Sequence, residues 1–289
     1  MNRCPQCGET EGVSDDGCPS CGFVPPVVDG LRRYTPEVAD AGPGYDPSHY
    51  EQLARYEAGN FWFRARNDVI LEALATHFPG ARRYLEVGCG TGFVLQAVAE
   101  RWPSLEVSGC EVFAAGLAFA RQRVPRATLF QMDATRVPFE GRFDVSGAYD
   151  VIEHIEAQDE VLAGLHRALV PGGGLVLTVP QHRWLWSEAD VEAHHVRRYE
   201  PGELEAAVSR AGFTVEYSTS FVSLLLPAMA ASRLLAKKPS GERDPYREFK
   251  LPRALNSTFE AVLRVETALR RTTGLRFPLG GSRLVVARR

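Results

Sequence analysis

No stretch of this 289-residue sequence is apolar for long enough to cross a bilayer: the longest such run, Phe221–Ala231, is short and interrupted by Pro227. An excess of charge of one sign is also missing. The formal net charge is −3, which gives no global reason to expect a nucleic-acid partner. No export signal is visible in Met1–Gly22, which is polar and cysteine-rich, so a cytoplasmic location is expected. Cysteine is scarce, and four of the six fall within the first 21 residues. In a reducing compartment, cysteines clustered in this way are expected to hold metal rather than form disulfides. With 45% hydrophobic and 24% charged residues, the chain can build a full core, expected as one main domain plus attachments.

The stretch that organises the rest is Tyr84-Leu85-Glu86-Val87-Gly88-Cys89-Gly90-Thr91-Gly92. A short apolar run ends in three alternating glycines, and a helical pattern, Phe93–Trp102, follows. That order predicts a buried strand, a tight turn and a helix whose N-terminal N–H groups face a ligand. The dinucleotide-binding form, Gly-x-Gly-x-x-Gly, is not met, because Phe93 stands where its third glycine belongs. Glu86 would also repel a pyrophosphate and suits a ligand carrying positive charge. The spacing Glu-x-Gly-x-Gly-x-Gly resembles motif I of the class I S-adenosylmethionine-dependent methyltransferases, whose ligand has a sulfonium, an amino group and no phosphate.

Downstream, strands and helices alternate: strands near 83–87, 105–110, 127–131, 143–149, 174–180 and 213–220, with helices between most of them. This order implies an α/β fold with a largely parallel doubly wound sheet, whose ligands sit at the carboxyl ends of the strands. Glu111 and Val112 end the second strand, about twenty residues past the loop, where a carboxylate can accept ribose hydroxyls. Asp133 and Ala134 end the third and are placed to read the adenine edge. Tyr149 and Asp150 end the fourth, where a transferable methyl would lie. With Gly88, Cys89, Gly90, Gly92 and Glu86, these form the expected cofactor site. Leu169–Leu175 looks like the hairpin that follows these motifs in the same superfamily, so the resemblance covers residues 84–180.

The resemblance implies further expectations. The fold would be a Rossmann-like sandwich of seven strands, the last of them, Arg283–Arg289, antiparallel beside the fifth. Phe61-Trp62-Phe63-Arg64-Ala65-Arg66 resembles a helix that lids the cofactor in some bacterial members. Trp62 and Phe63 would close the pocket and Arg66 would approach the methionine carboxylate, although plain helix packing explains the aromatics as well. His194-His195-Val196-Arg197-Arg198-Tyr199 resembles a loop that edges the acceptor in bacterial relatives of the ubiquinone and menaquinone methyltransferases. His154 and His195 are the side chains suited to general-base work, with a core histidine and a polar surface loop as the bland alternatives.

Cys4-Pro5-Gln6-Cys7-Gly8 is echoed by Cys18-Pro19-Ser20-Cys21-Gly22, ten residues on. Two such knuckles complete a tetrahedral S₄ shell, so Cys4, Cys7, Cys18 and Cys21 are expected to bind structural zinc. The module is acidic with one aromatic, Phe23, which favours a structural or protein-contact role over a nucleic-acid grip. The expected organisation is a zinc ribbon over 1–24, a Pro/Gly-rich linker over 25–47 and a helical cap over 48–80. A core over 81–222, a helical insertion over 223–280 and a final core strand over 281–289 complete it. Residues 222–280 hold eleven Lys or Arg against five Asp or Glu. They include Lys237 and Lys238 and could form a lid, dock a partner or lie peripherally on the inner face of an anionic membrane. The apolar side chains Phe221, Leu224, Leu225 and Leu226 are expected to need a surface outside the core. The expected activity is methyl transfer from S-adenosyl-L-methionine to a small acceptor, O-methylation favoured, on an apolar, quinone-like or lipid-like molecule. A zinc-ribbon RNA methyltransferase, a non-catalytic S-adenosylmethionine-binding scaffold and a dehydrogenase are the alternatives.

Overall fold

The computed structural model describes residues 1–40, 46–235 and 250–289. Its centre is a parallel sheet of β3 (Arg83–Val87), β4 (Glu106–Glu111), β5 (Thr128–Gln131), β6 (Phe143–Tyr149) and β7 (Leu169–Pro180), in the order β5-β4-β3-β6-β7. The chain reverses direction of winding at β3, so the ligand crevice falls between β3 and β6, where the glycine turn emerges. β9 (Ser282–Arg288) lies antiparallel between β7 and β8 (Thr214–Phe221). These seven strands are the expected ones, with the last antiparallel beside the fifth.

Helices cover both faces. One face buries Leu85, Val87, Ile152, Leu162, Leu165 and Val285 beneath α5 (Gln158–Ala168) and α7 (Glu203–Arg210). The other buries Tyr84, Val94, Leu95, Val176 and Val286 beneath α2 (Phe61–His77) and α3 (Phe93–Arg101). The alternation of Tyr84 and Glu86 against Leu85 and Val87 along β3 follows the two-residue period of a strand.

The linker expected over 25–47 is corrected. β1 (Val27–Val28) and β2 (Leu31–Arg33) form a hairpin through Asp29-Gly30, both at positive φ (52° and 74°), and β2 joins β5 in parallel. The sheet among the described residues therefore has nine strands. An Asp-Gly pair is a strong hairpin signal, masked in the sequence by Pro25-Pro26 and by the two arginines of β2. The cysteine module is docked rather than tethered. Asn2 and Arg3 donate their backbone N–H groups to the Pro138 carbonyl (2.7 and 3.1 Å). Cys4, Val13 and Cys18 share a core with Tyr34, Phe130 and Phe139.

The segment 223–280 carries α8 (Leu226–Leu235) and α9 (Arg253–Thr273); Lys237 and Lys238 lie outside the described residues. α9 runs along α2, with Phe259 edge-on to Phe61 (5.2 Å), Glu260 bonded to Arg64 (2.5 Å) and Arg270 to Glu72 (2.5 Å). Phe221 and Leu225 are buried in the core, whereas Leu226 is half-buried and Leu224 is 41% exposed, so the expectation of an apolar face outside the core fails for the first two. No helix among the described residues is long and apolar enough to cross a membrane.

Tyr34 distinguishes a docked module from a tethered one, because it stacks edge-on to Phe130 and Phe139 (5.5 Å each) and donates to Asp15 (3.0 Å). Tyr34→Ala should cost about 3 kcal/mol, as for other large buried aromatics. Urea unfolding measures this, and a loss within about 0.5 kcal/mol would mark the segment as a true linker.

Candidate active site

After Val87 the chain turns through Gly88, Gly90 and Gly92, all at positive φ (68°, 51° and 80°). Two of them are sterically compelled. A Cβ on Gly88 would lie 2.4 Å from Val151 Cγ2, and one on Gly92 would lie 2.8 Å from Ala120 Cα. Gly90 meets nothing within 4 Å, so bare backbone faces the open crevice there. Cys89 packs inward with Leu31, Leu117 and Ala120, leaving only its backbone to the loop surface.

Three carboxylates surround this turn. Glu111, at the end of β4, accepts from Gly90 N (3.0 Å) and Val112 N (2.8 Å), tying two strand ends together. Glu86 is 2% exposed, and burial pushes its pKa up to about 8, with Arg66 offsetting only part of the rise. At neutral pH it therefore keeps its proton, and a cation placed beside it would expel that proton. Glu57 was not among the expected residues. It reaches in from the 3-10 turn Glu57–Gly59 that follows α1 (Pro47–Tyr56), and it accepts from Thr91 Oγ1 (2.6 Å) and Arg123 Nη1 (2.6 Å). This contact locks the N-terminal cap onto the loop. Residues 57, 91 and 123 carry no shared motif, so nothing in the sequence joins them.

Asp133 uses Oδ1 to cap the following 3-10 turn, accepting from Thr135 N (2.9 Å) and Thr135 Oγ1 (2.8 Å). Ala134 beside it is buried. Tyr149 is turned into the interior, its hydroxyl 3.0 Å from that of Tyr84. That places its ring in packing, whereas the sequence reading sets it in the cofactor site. Asp150 holds a left-handed φ of 55°, uncommon for a residue with a side chain. Thr178 O accepts from its N–H (2.9 Å), Thr178 Oγ1 donates to its carboxylate (3.2 Å), and Arg66 Nη1 bonds the same oxygen (2.7 Å).

Arg66 lies over the rings of Trp62 (4.7 Å) and Phe63 (5.5 Å). Its Nε is buried with no partner, which leaves a donor for an anion such as a ligand carboxylate. The residues thus fit an S-adenosyl ligand at three points: open backbone at Gly90, a carboxylate at Glu111 and an unspent guanidinium donor at Arg66.

The two histidines meet beyond Asp150. His154 ends the 3-10 turn Ile152–His154, and its ring lies 4.7 Å from that of His195, edge to face. Packing around the ring, and then His195, hold His154 below its usual range, although one edge reaches solvent. His195 Nδ1 pairs with Asp190 Oδ1 (2.8 Å), and Arg198 Nε donates to the same oxygen (2.7 Å). Against the burial that would raise it, these bonds hold Asp190 well below the usual carboxylate range. Asp190 is fixed by a capping box with Ser187, a Ser-x-x-Asp signature that the sequence did display. Glu153 is fully buried, both oxygens lack a hydrogen bond, and burial drives its pKa up. Donor atoms of Glu153, His154 and His195 lie within 4.8 Å of one another, close enough to hold a cation.

The four N-terminal thiols converge as the knuckles predict. Cys4 and Cys21 Sγ are 3.6 Å apart, as are Cys7 and Cys18 Sγ, and all four lie within 4.8 Å. A tetrahedral ion with metal–sulfur bonds of about 2.3 Å needs sulfurs about 3.8 Å apart, so the donor set fits.

Residues 41–218, more than half of the chain, match the family described as a methyltransferase domain. A Mycolicibacterium smegmatis protein named "Probable S-adenosylmethionine-dependent methyltransferase" is 31% identical over 54% of this chain and 61% of its own length. A Variovorax paradoxus trans-aconitate 2-methyltransferase is 33% identical over 36% of this chain and 41% of its own length. A Streptomyces fradiae dTDP-3-amino-3,6-dideoxy-alpha-D-glucopyranose N,N-dimethyltransferase is 31% identical over 61% of this chain and 66% of its own. The matches thus span less than two thirds of these relatives. Among solved structures, a Haemonchus contortus phosphoethanolamine N-methyltransferase 2 bound to S-adenosyl-L-methionine superposes with a TM-score of 0.56 at 19% identity, covering 86% of this chain and 58% of that one. An Archaeoglobus fulgidus SAM-dependent methyltransferase gives 0.52 at 16%, covering 83% and 99%. At these identities the structures speak for the fold.

Glu86 gives a measurable signature. A cationic sulfonium ligand binding at pH 7 should release up to one proton, seen by calorimetry in two buffers of different ionisation enthalpy. Glu86→Gln should abolish the release. Glu111→Ala should weaken the same ligand by about 1–3 kcal/mol, and unchanged affinity would remove Glu111 from the site.

Proposed function

We propose that this chain, which belongs to the S-adenosylmethionine-dependent methyltransferase family, methylates a hydroxyl of a small, partly apolar acceptor, with His195 as general base. The observation that carries this reading is the Asp190–His195 pair. With Nδ1 engaged by a buried carboxylate, the ring is held in one tautomer and keeps Nε2 as the proton acceptor. Such an arrangement serves an acceptor whose proton must leave as the new bond forms, as a hydroxyl requires. A neutral amine can attack with its own lone pair and needs the base less.

The bound cofactor would supply an electrophilic methyl on a good leaving group. The chain's own part is to hold and align. Gly90 and Glu111 would seat the adenosine side, Glu86 would answer the positive charge, and Arg66 would take the carboxylate. His195 Nε2 would accept the proton of the acceptor hydroxyl, and Asp190 would stabilise the resulting imidazolium. Trp184 and Trp186, 53% and 40% exposed, stand on the turn before Asp190, where Arg233 of α8 bonds the Leu185 carbonyl (3.2 Å). They suit an apolar acceptor better than a charged one. The names of the relatives, which act on a carboxylic acid and an amino sugar, support a small-molecule acceptor without fixing its reactive atom. The four converging thiols are read as a site for zinc, in a structural role.

Methyl-labelled S-adenosylmethionine incubated with the protein and a fractionated cell extract should label the small-molecule fraction. Label appearing in the RNA instead would overturn the reading. His195→Ala should slow transfer by about 10²–10⁴-fold while leaving S-adenosylhomocysteine affinity unchanged, and a neutral-amine acceptor would be far less sensitive.

A further inference from the structure

One contact crosses from the N-terminal segment into the cofactor crevice. Thr35, two residues past β2 and fully buried, accepts through Oγ1 from Asp133 N (2.8 Å) and from Gln131 Nε2 (3.0 Å). Gln131, also fully buried, donates from the same Nε2 to the Val112 carbonyl (2.8 Å) and accepts from Thr35 N (3.2 Å). One hydroxyl and one amide thus set the backbone at the ends of both β4 and β5. These are the two strand ends that carry the ribose-side and adenine-side candidates.

Thr35 is itself set by the cysteine module. Its neighbour Tyr34 bonds Asp15, which lies between the two knuckles, and packs in one cluster with Cys4, Val13 and Cys18. Arg32 donates to the Asp15 carbonyl (3.1 Å). Asp15 is also bonded to the Met1 ammonium (2.5 Å); the knuckles hold few apolar side chains, so an ion joining the four thiols would steady this whole module and Asp15 with it. Loss of that ion would loosen Asp15 and its bond to Tyr34, and so shift the neighbouring Thr35 hydroxyl that Asp133 N meets.

We infer that Thr35 is a positioning residue for the cofactor, and that metal in the four-cysteine module and S-adenosyl ligand at the strand ends bind cooperatively through it. The inference rests on reading Val112 and Asp133 as the adenosine side of the site. By reciprocity, a ligand that gains affinity from the metal must tighten the metal by the same factor.

The test measures S-adenosylhomocysteine affinity by calorimetry on the full metal-loaded chain at a temperature where every variant is folded. Thr35→Val keeps the shape and removes the acceptor, and it should weaken binding about tenfold, the size of one lost buried hydrogen bond. Thr35→Ser restores the oxygen and should bind within about twofold of the parent, which a purely structural role would not require. Chelating the metal from the parent should weaken binding by a similar factor, and chelating it from Thr35→Val should add little. Asp133→Ala separates the two ways to fail. If it weakens binding while Thr35→Val does not, the positioning role is overturned; if it too has no effect, the adenosine reading falls. Should Thr35→Val not fold, a stripped parent that binds as tightly as the loaded one overturns the coupling.

Discussion

The arrangement depends on a steric constraint at the exit of β3. Between Gly88 and Gly92 the backbone passes within a methyl's width of Val151 on one side and Ala120 on the other. That closeness brings the loop against the exit of β6 and against α4 (Ala114–Arg123) at once. Any side chain at either glycine would push the sheet and helix apart and displace the N–H groups that a ligand meets. The contacts that close the crevice then follow: Glu111 to Gly90, and Glu57 to Thr91 with Arg123. Arg66 to Asp150 bridges the cap to the end of β6. Each joins the turn, or the strand beside it, to an element remote in sequence.

Charge is handled in the crevice by confinement rather than by neutrality. Glu86 stays protonated because it is buried, Asp190 stays ionised because a guanidinium and an imidazole hold it, and Glu153 is left without a hydrogen-bond partner. Burial therefore favours the neutral form of Glu86 and Glu153, while its bonded partners keep Asp190 ionised. Environment, not residue identity, divides their roles.

How much of this was legible follows from the range of each interaction. The strand–turn–helix at Gly88 and the parallel order read directly from period and spacing, as did the paired knuckles, because each is local. The Ser187–Asp190 capping box is local too but was not read, and its use as a support for His195 depends on the turn that brings residue 195 back. The Asp29-Gly30 hairpin was local too, and its proline-rich flank hid it. The Glu57–Thr91–Arg123 lock, the Thr35–Gln131 contact and the seat of α9 on α2 could not be read. They join residues 32 to 198 positions apart, with side chains of common types. Tyr149 and Cys89 show the converse: a motif position locates the backbone, while the side chain goes wherever the neighbouring strand leaves room.

The seating of α2 against α9 also orders events at the ribosome. Arg64 and Glu260 are separated by 196 positions, so at ordinary synthesis rates the aromatic cap helix waits on the order of ten to forty seconds for its outer partner. The sheet waits as well, because β9 fills the gap between β7 and β8 and is made after both. Until then Phe61 lacks Phe259, and the edges of β7 and β8 carry unpaired backbone groups, the condition under which nascent chains stick to one another. A nascent chain can therefore shape the glycine turn early, yet it can neither brace its cap helix nor close its sheet until both later segments have emerged.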